Sequence, residues 1–258
     1  MGYNLVPHSW AAAAIANKIA PLTLVLEREG NIDLPELLPP NDIYIDLPPA
    51  ARKQYAAMED HMLAALKDQE LVIAANAAVA SSKCRQIANG GLYTGAGGGE
   101  WEDMHDAKIE AMKDLVDELS GEPLLIAYEF KFDLEKLQRA FPLAAVLTTG
   151  NPKKDDMQIA AFAGGLYTIG LGQFSSISLG IDGLQNSCSN VAMFGLTWNL
   201  QDYSQTIDRV WRTGSKSPIV SVHRIIARGT VDERVIKVLN NRESTQTAFL
   251  ALLRDMRS

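Results

Sequence analysis

Gln205, Asp208, Arg209 and Arg212 stand within the run QTIDRVWR, and Thr213 and Gly214 follow at once. A guanidinium keeps its charge at every physiological pH and presents a planar fork that matches two phosphate oxygens. Two of them three positions apart can grip an anion, and one of them can stabilise the charge that builds up during phosphoryl transfer. The competing reading is plainer: at ~100° per residue, Gln205, Arg209 and Arg212 share one side of a helix, which is also how a solvated face is written.

The elements around these residues must hold them. Asn199 is expected to cap a helix from about Leu200 to Arg212, with Leu200, Tyr203, Ile207, Val210 and Trp211 on the apolar side. Thr213 and Gly214 end that helix, so both arginines are expected near an edge of a sheet, where α/β proteins gather their ligands. The sheet is legible as short, nearly continuous apolar runs, LLIAYEF, AAVLTT, LYTIGLG, NVAMFGL and IVSVHRII, separated by helical text such as KFDLEKLQRAF. Buried parallel strands alternating with helices read this way, so an α/β fold with helices on both faces is expected from residue 121 onward. Thr230 and Glu233 are spaced as a capping box for a last helix.

Upstream, DLPELLPP reads as a proline-rich connector, NDIYIDLPP as a short strand, and residues 50 to 88 as two alanine-rich helices. NGGLYTGAGGGE reads as a glycine-rich loop, and Ile109, Met112, Val116 and Leu119 form the stripe of a further helix that stops at Gly121. Three regions result: a connector over 1–48, a helical segment over 49–120, and the α/β unit over 121–258.

Composition narrows the class. The net charge is −7, from 24 Lys and Arg against 31 Asp and Glu, which argues against a protein that coats nucleic acid or a membrane surface. The charge is uneven: from Asn199 onward ten basic residues face six acidic ones, so any anion-binding surface is local. Two cysteines far apart, Cys84 and Cys188, form neither a disulfide framework nor a zinc motif, and a reducing cytoplasm fits. AAAAIANKIAPLTLVL is broken by Lys18 and Pro21, short of the ~20 apolar residues of a membrane span, and lacks a basic signal-peptide start. His8, His61, His105 and His223 have no metal-ligand spacing and are read as surface or helix-cap residues. Asp133 and Glu135, with Lys131, Lys136 and Arg139, read as a solvated face, and Trp198 and Trp211 as core or lobe-interface residues.

The stretch SLGIDGLQNSCSNVAMFGLTWNLQDYSQTIDRVWRTGSKSPIVSVHRIIARGTVDERVI resembles the second RecA-like lobe of superfamily two helicases, most closely the Swi/Snf-type branch found in phages and prophages. The residues that carry the resemblance are Gly180, Gly183 and Leu184, then Trp198 and Asn199, then Gln205, Asp208, Arg209, Arg212 and Gly214, and last Gly229, Thr230, Asp232, Glu233 and Arg234. PLLIAYEFKFDLEKL and VLTTGNPKKDDMQIAAF are similar to the motifs that precede these. Where the family writes G-L-N-L, this chain has Gln185 and Asn186 after Leu184.

The resemblance implies a RecA-like parallel sheet and a set of roles. Arg212 would be an arginine finger for the γ-phosphate of ATP, and Arg209 would support the same phosphates or couple the lobes. Gln205, Gly183 and Asp182 would lie at the nucleotide, and Ser176 or Ser178 would touch a nucleic-acid backbone. ATP and Mg²⁺ would be shared with an N-terminal RecA-like lobe, DNA would be bound weakly and without sequence preference, and the setting would be the cytoplasm of a bacterial or phage-infected cell. The sequence has no G-x-x-x-x-G-K-[ST] loop, and TGAGGGEWED lacks the Lys and the Ser/Thr that one needs, so the chain reads as half of a two-lobe motor that is inactive alone. The alternatives are a non-catalytic, stand-alone DNA- or protein-binding module and, more distantly, an α/β transferase, which no glycine-rich turn after LLIAYEF supports.

Overall fold

The computed structural model describes residues 8, 10–19, 33–67, 73–95 and 99–241. The chain divides into two compact units, 1–33 and 34–258. In the first the described element is helix α1 (Ala11–Ile19).

The second unit runs β1 (Glu36–Leu37), β2 (Asn41–Ile45), α2 (Pro49–Lys67), α3 (Ile73–Asn89), β3 (Gly91–Tyr93), β4 (Trp101–Asp103), α4 (Ala107–Glu118), β5 (Leu124–Tyr128), α5 (Lys131–Ala140), β6 (Ala145–Val146), α6 (Pro152–Ala163), β7 (Ile169–Gln173), α7 (Phe174–Gly180), β8 (Asn190–Met193), α8 (Leu200–Asp208), β9 (Ile219–Ala227) and α9 (Val231–Asn241). Seven strands form one sheet in the order β6-β7-β5-β8-β9, with β1 and β2 end to end along the far side of β9. Each of its pairings is parallel.

The five apolar runs of the α/β region are the five strands β5 to β9, and each is buried on both faces. Along β5, Leu125 and Ala127 point into one core with Tyr55, Ile87, Phe162, Phe174 and Val235. Leu124, Ile126 and Tyr128 point into the other, with Ile109, Met112 and Leu115 of α4 and Leu137 of α5. At roughly 25 cal/mol per Å² of apolar surface, these two layers supply most of the drive to fold. Val116 and Leu119, expected on the α4 stripe, are half-buried beside the second core.

Four expectations need correction. Residues 34–48 are more than a connector: β1 and β2 are laid onto β9 and complete the sheet, and the boundaries at 48 and 120 coincide with no break in packing. Part of the expected glycine-rich loop is strand, because Gly91 pairs with Asp103 and Tyr93 with Trp101 in an antiparallel ladder; residues 96–98 lie outside the described residues. Asp133 and Lys136 are fully or almost fully buried, since α5 turns that side toward α3 and α4. His105 and His223 are buried as well; His105 does serve as a cap, accepting the Ala107 amide at 3.3 Å through Nδ1 while Nε2 meets the Ile87 carbonyl at 2.8 Å.

Candidate functional site

Arg209 and Arg212 are positioned by α8. Asn199 caps this helix as expected, its side-chain oxygen accepting the amides of Gln201 and Asp202 at 3.0 and 3.3 Å. The helix ends earlier than the pattern predicts. Arg209 is its C-cap residue; bonds from the Val210 and Trp211 amides to the Ile207 carbonyl close the last turn, and Arg212 lies beyond, at the start of a turn in which the Ser215 amide meets its carbonyl at 3.3 Å. Val210, wholly buried, and Trp211, packed on the core, pull the backbone inward there, and Gly214 continues the turn with φ of +81°. Arg212 is therefore on a loop and not on the helical face shared by Gln205 and Arg209.

The edge of the sheet also differs from expectation. Since β8 and β9 are parallel, α8 must run back from the carboxyl end of β8 to the amino end of β9, which leaves its last residues at the amino edge. The turn between α7 and β8 reaches the same edge: Cys188 and Asn190 contact the carbonyl of Pro123, immediately before β5. These two segments meet there. Arg209 donates to the Ser178 carbonyl at 2.6 Å, and Arg212 pairs with Asp182 at 2.6 Å. Gly183 has φ of +88°, left-handed backbone that a side chain would strain, and it starts the short 3₁₀ turn Leu184–Asn186. Asp182 caps the Gly183 amide at 3.0 Å.

The structure therefore brings Arg209, Arg212, Asp182 and Gly183 together, with Gln205 half-buried one turn before Arg209. Arg212 and Asp182 are largely open to solvent, at 46% and 70% side-chain exposure, so their ion pair is of the surface kind, worth about 0–1 kcal/mol. Gln185, which replaces the family's Asn, has a buried Oε1 with no partner.

Ser176 and Ser178 lie on α7, which starts at the opposite, carboxyl edge. Ser178 is buried, and its hydroxyl is taken up by the Ser175 carbonyl at 3.1 Å and Asp202 at 2.8 Å. Ser176 is half-buried. The carboxyl edge also holds the point where strand order reverses around β5. Gln173 there donates to the Glu129 carbonyl at 2.9 Å, and Arg85 reaches both the Glu129 carboxylate and the Leu196 carbonyl.

Asp133 and Asp232 are named in the sequence reading without being joined, and the two residues that join them, Asn89 and Lys108, are missed there. Asn89 donates to Asp133 at 3.0 Å and accepts from Lys108 at 2.9 Å, and Lys108 pairs with Asp232 at 2.6 Å, with both members of the ion pair fully buried. Asp133 accepts the amides of Glu129 and Phe130, and Asp232 that of Ala227, so this hub fixes the carboxyl ends of β5 and β9. Burial drives the Asp133 carboxyl from 3.8 up to about 7, against the pull of the Phe130 amide and the Lys108 charge. Helical spacing is the signal that could have found it: Lys108 lies four and seven positions before Met112 and Leu115 on the buried side of α4.

Among the described residues no three His, Cys, Asp or Glu side chains converge as metal ligands, and no helix is long and apolar enough to cross a membrane.

Comparison with known proteins agrees with this architecture. Residues 107–214 match the helicase conserved C-terminal domain. The putative protein p41 of Acyrthosiphon pisum secondary endosymbiont phage 1 is 31% identical over 253 residues, 96% of this chain and 53% of p41, so the chain spans about half the length of that relative. The SWI2/SNF2 ATPase core of Sulfolobus solfataricus, solved in complex with double-stranded DNA, superposes with a TM-score of 0.64 at 21% identity, over 90% of this chain and 50% of that one. The C-terminal part of the Fun30 ATPase domain superposes with a TM-score of 0.61 at 14% identity, over 86% of this chain and 98% of that one. Residues 107–214 are thus similar to the helicase conserved C-terminal domain, and the fold is the RecA-like one that the SWI2/SNF2 ATPase C-terminal lobes also have.

Proposed function

We propose that this chain is the C-terminal half of an ATP-dependent DNA helicase or translocase, in which Arg212 reaches the γ-phosphate of ATP held by a separate N-terminal RecA-like lobe. The observation that carries the reading is the convergence of Arg209 and Arg212 on the turn from Ser178 to Gly183. Arg209 is tied to a main-chain carbonyl and serves as the fixed base. Arg212 is held through an exposed carboxylate, a partner that a phosphate displaces at little cost because surface ion pairs are weak. Asp182 and the Gly183 turn adjoin Arg212, and Gln205 precedes Arg209 by about one turn of α8.

ATP supplies the phosphoryl group whose transfer the guanidinium charge favours. In this reading Mg²⁺ would be held with the phosphates on the other lobe; among the described residues no three His, Cys, Asp or Glu side chains converge. DNA belongs at the carboxyl edge. With the Ser178 hydroxyl committed internally, Ser176 is the serine left to meet a phosphate. The likeness to an ATPase core complexed with double-stranded DNA supports DNA as the partner. Closure of two lobes on ATP, coupled to grip at the opposite edge, would move the protein along a duplex.

The test is DNA-stimulated ATPase of the two-lobe protein, with thermal stability measured alongside. Arg212→Ala is expected to lower kcat by ~10³-fold with little change in ATP binding. Arg212→Lys should be nearly as damaging, since it keeps the charge and loses the fork. Turnover near the wild-type rate in both variants would reject the finger and leave Arg212 as a residue of a solvated face.

A further inference from the structure

The loop from Arg209 to Pro218 is fastened at both ends by the same short piece of chain. Near its start, the Trp211 indole donates through Nε1 to the Pro35 carbonyl at 2.8 Å, across 176 residues of sequence. At its far end, the Glu36 amide donates to the Pro218 carbonyl at 2.8 Å and the Leu38 amide to the Val220 carbonyl at 3.0 Å, with Glu36 paired to Ile219 and Leu37 to Val220. Residues 35–38 therefore form a strap across the mouth of the loop that carries Arg212. Between these fastenings the loop is open: Gly214 would meet nothing within 4 Å of an added Cβ, and Arg212, Thr213 and Gly214 are all exposed.

From this geometry we infer that Trp211 is a positioning residue for Arg212, and that the strap 35–38 is the part of the chain that sets where the guanidinium stands. The inference rests on the finger reading of Arg212 for its catalytic consequence, though not for the strap itself. Trp211 lies next to Arg212 in sequence, and its indole is wedged between the core and Pro35, so the peptide that bears Arg212 has one orientation. A finger must be placed to within a fraction of an ångström, and a 1 Å error can cost ~10²-fold in rate.

Two variants test this. Trp211→Phe keeps an aromatic ring on the core and removes the indole donor; Glu36→Pro removes the amide that holds Pro218 and leaves α8 untouched. In the 258-residue chain, hydrogen exchange over residues 210–219 is expected to speed up by about tenfold in either variant, the worth of one hydrogen bond, while β8 keeps its protection. In the two-lobe protein both variants are expected to lower kcat by about ten- to a hundredfold, with KM for ATP within about twofold. Unchanged exchange in both variants overturns the strap. Faster exchange with wild-type kcat, where Arg212→Ala is inactive, overturns the positioning role. If Arg212→Ala itself retains full turnover, the finger reading falls and the exchange result alone decides the strap.

Discussion

Asp133 contributes to stability in a direction opposite to most surface carboxylates. Its folded-state pKa of about 7 stands above the ordinary 3.8, so the native state holds a proton that the unfolded chain releases. Its contribution is complete below about pH 4 and declines as pH rises through about 7. Asp133→Asn removes this slope, so the stability of wild type relative to the variant should fall steadily between those limits. Urea midpoints measured across the range give the answer, and a difference that stays flat or rises with pH would contradict it. The arginine pair was legible in residue type and spacing. The buried hub was not, because charge on a helix is normally written for solvent. Lys108, Asp133 and Lys136 break that habit only through partners up to 124 residues away in sequence, which no local window contains.

Among the elements, the β3–β4 hairpin depends on the glycine just before it. Gly90 has φ of +95°, and a Cβ there would stand 2.1 Å from the His105 carbonyl oxygen. That carbonyl and the Gly90 carbonyl both accept from the buried Lys136 ammonium, so the hairpin cannot shift without uncovering a charge. Gly90→Ala is expected to lower stability by at least about 2 kcal/mol, as strained backbone and backbone overlap do. Thermal or urea unfolding checks this, and a loss within about 0.5 kcal/mol, the range of an ordinary surface change, would count against it. The hairpin hid behind TGAGGGE, whose composition is that of a loop; its strands are three residues each and carry no alternation long enough to read. By contrast β5 to β9 were plain, since a strand buried on both faces is written as an unbroken apolar run. The end of α8 was misjudged by three or four residues because Val210 and Trp211 continue the apolar pattern past the point where the helix stops.

At the scale of the whole molecule the charge distribution sets how DNA can be held. A net −7 with an excess of positive charge from Asn199 onward leaves room for few phosphate contacts. With about three of them, affinity should drop by about 40-fold between about 50 and 200 mM salt, and equally for any sequence. Fluorescence anisotropy with two unrelated duplexes tests this; salt-insensitive or sequence-selective binding would indicate a dedicated recognition module instead. The sheet has one more consequence, for the growing chain. β2 finds its partner in β9, with Asn41 beside His223 and Asp42 bound to Arg224, 182 residues later. At about 5–20 residues per second the ribosome leaves that strand without its neighbour for about ten seconds or more. Ile43, Tyr44 and Ile45 would be sticky over that interval, yet Asp42 and Asp46 bracket them with like charge. The carboxylates that later receive Arg224 and Arg228 thus first act as gatekeepers, keeping one nascent chain from pairing with the next.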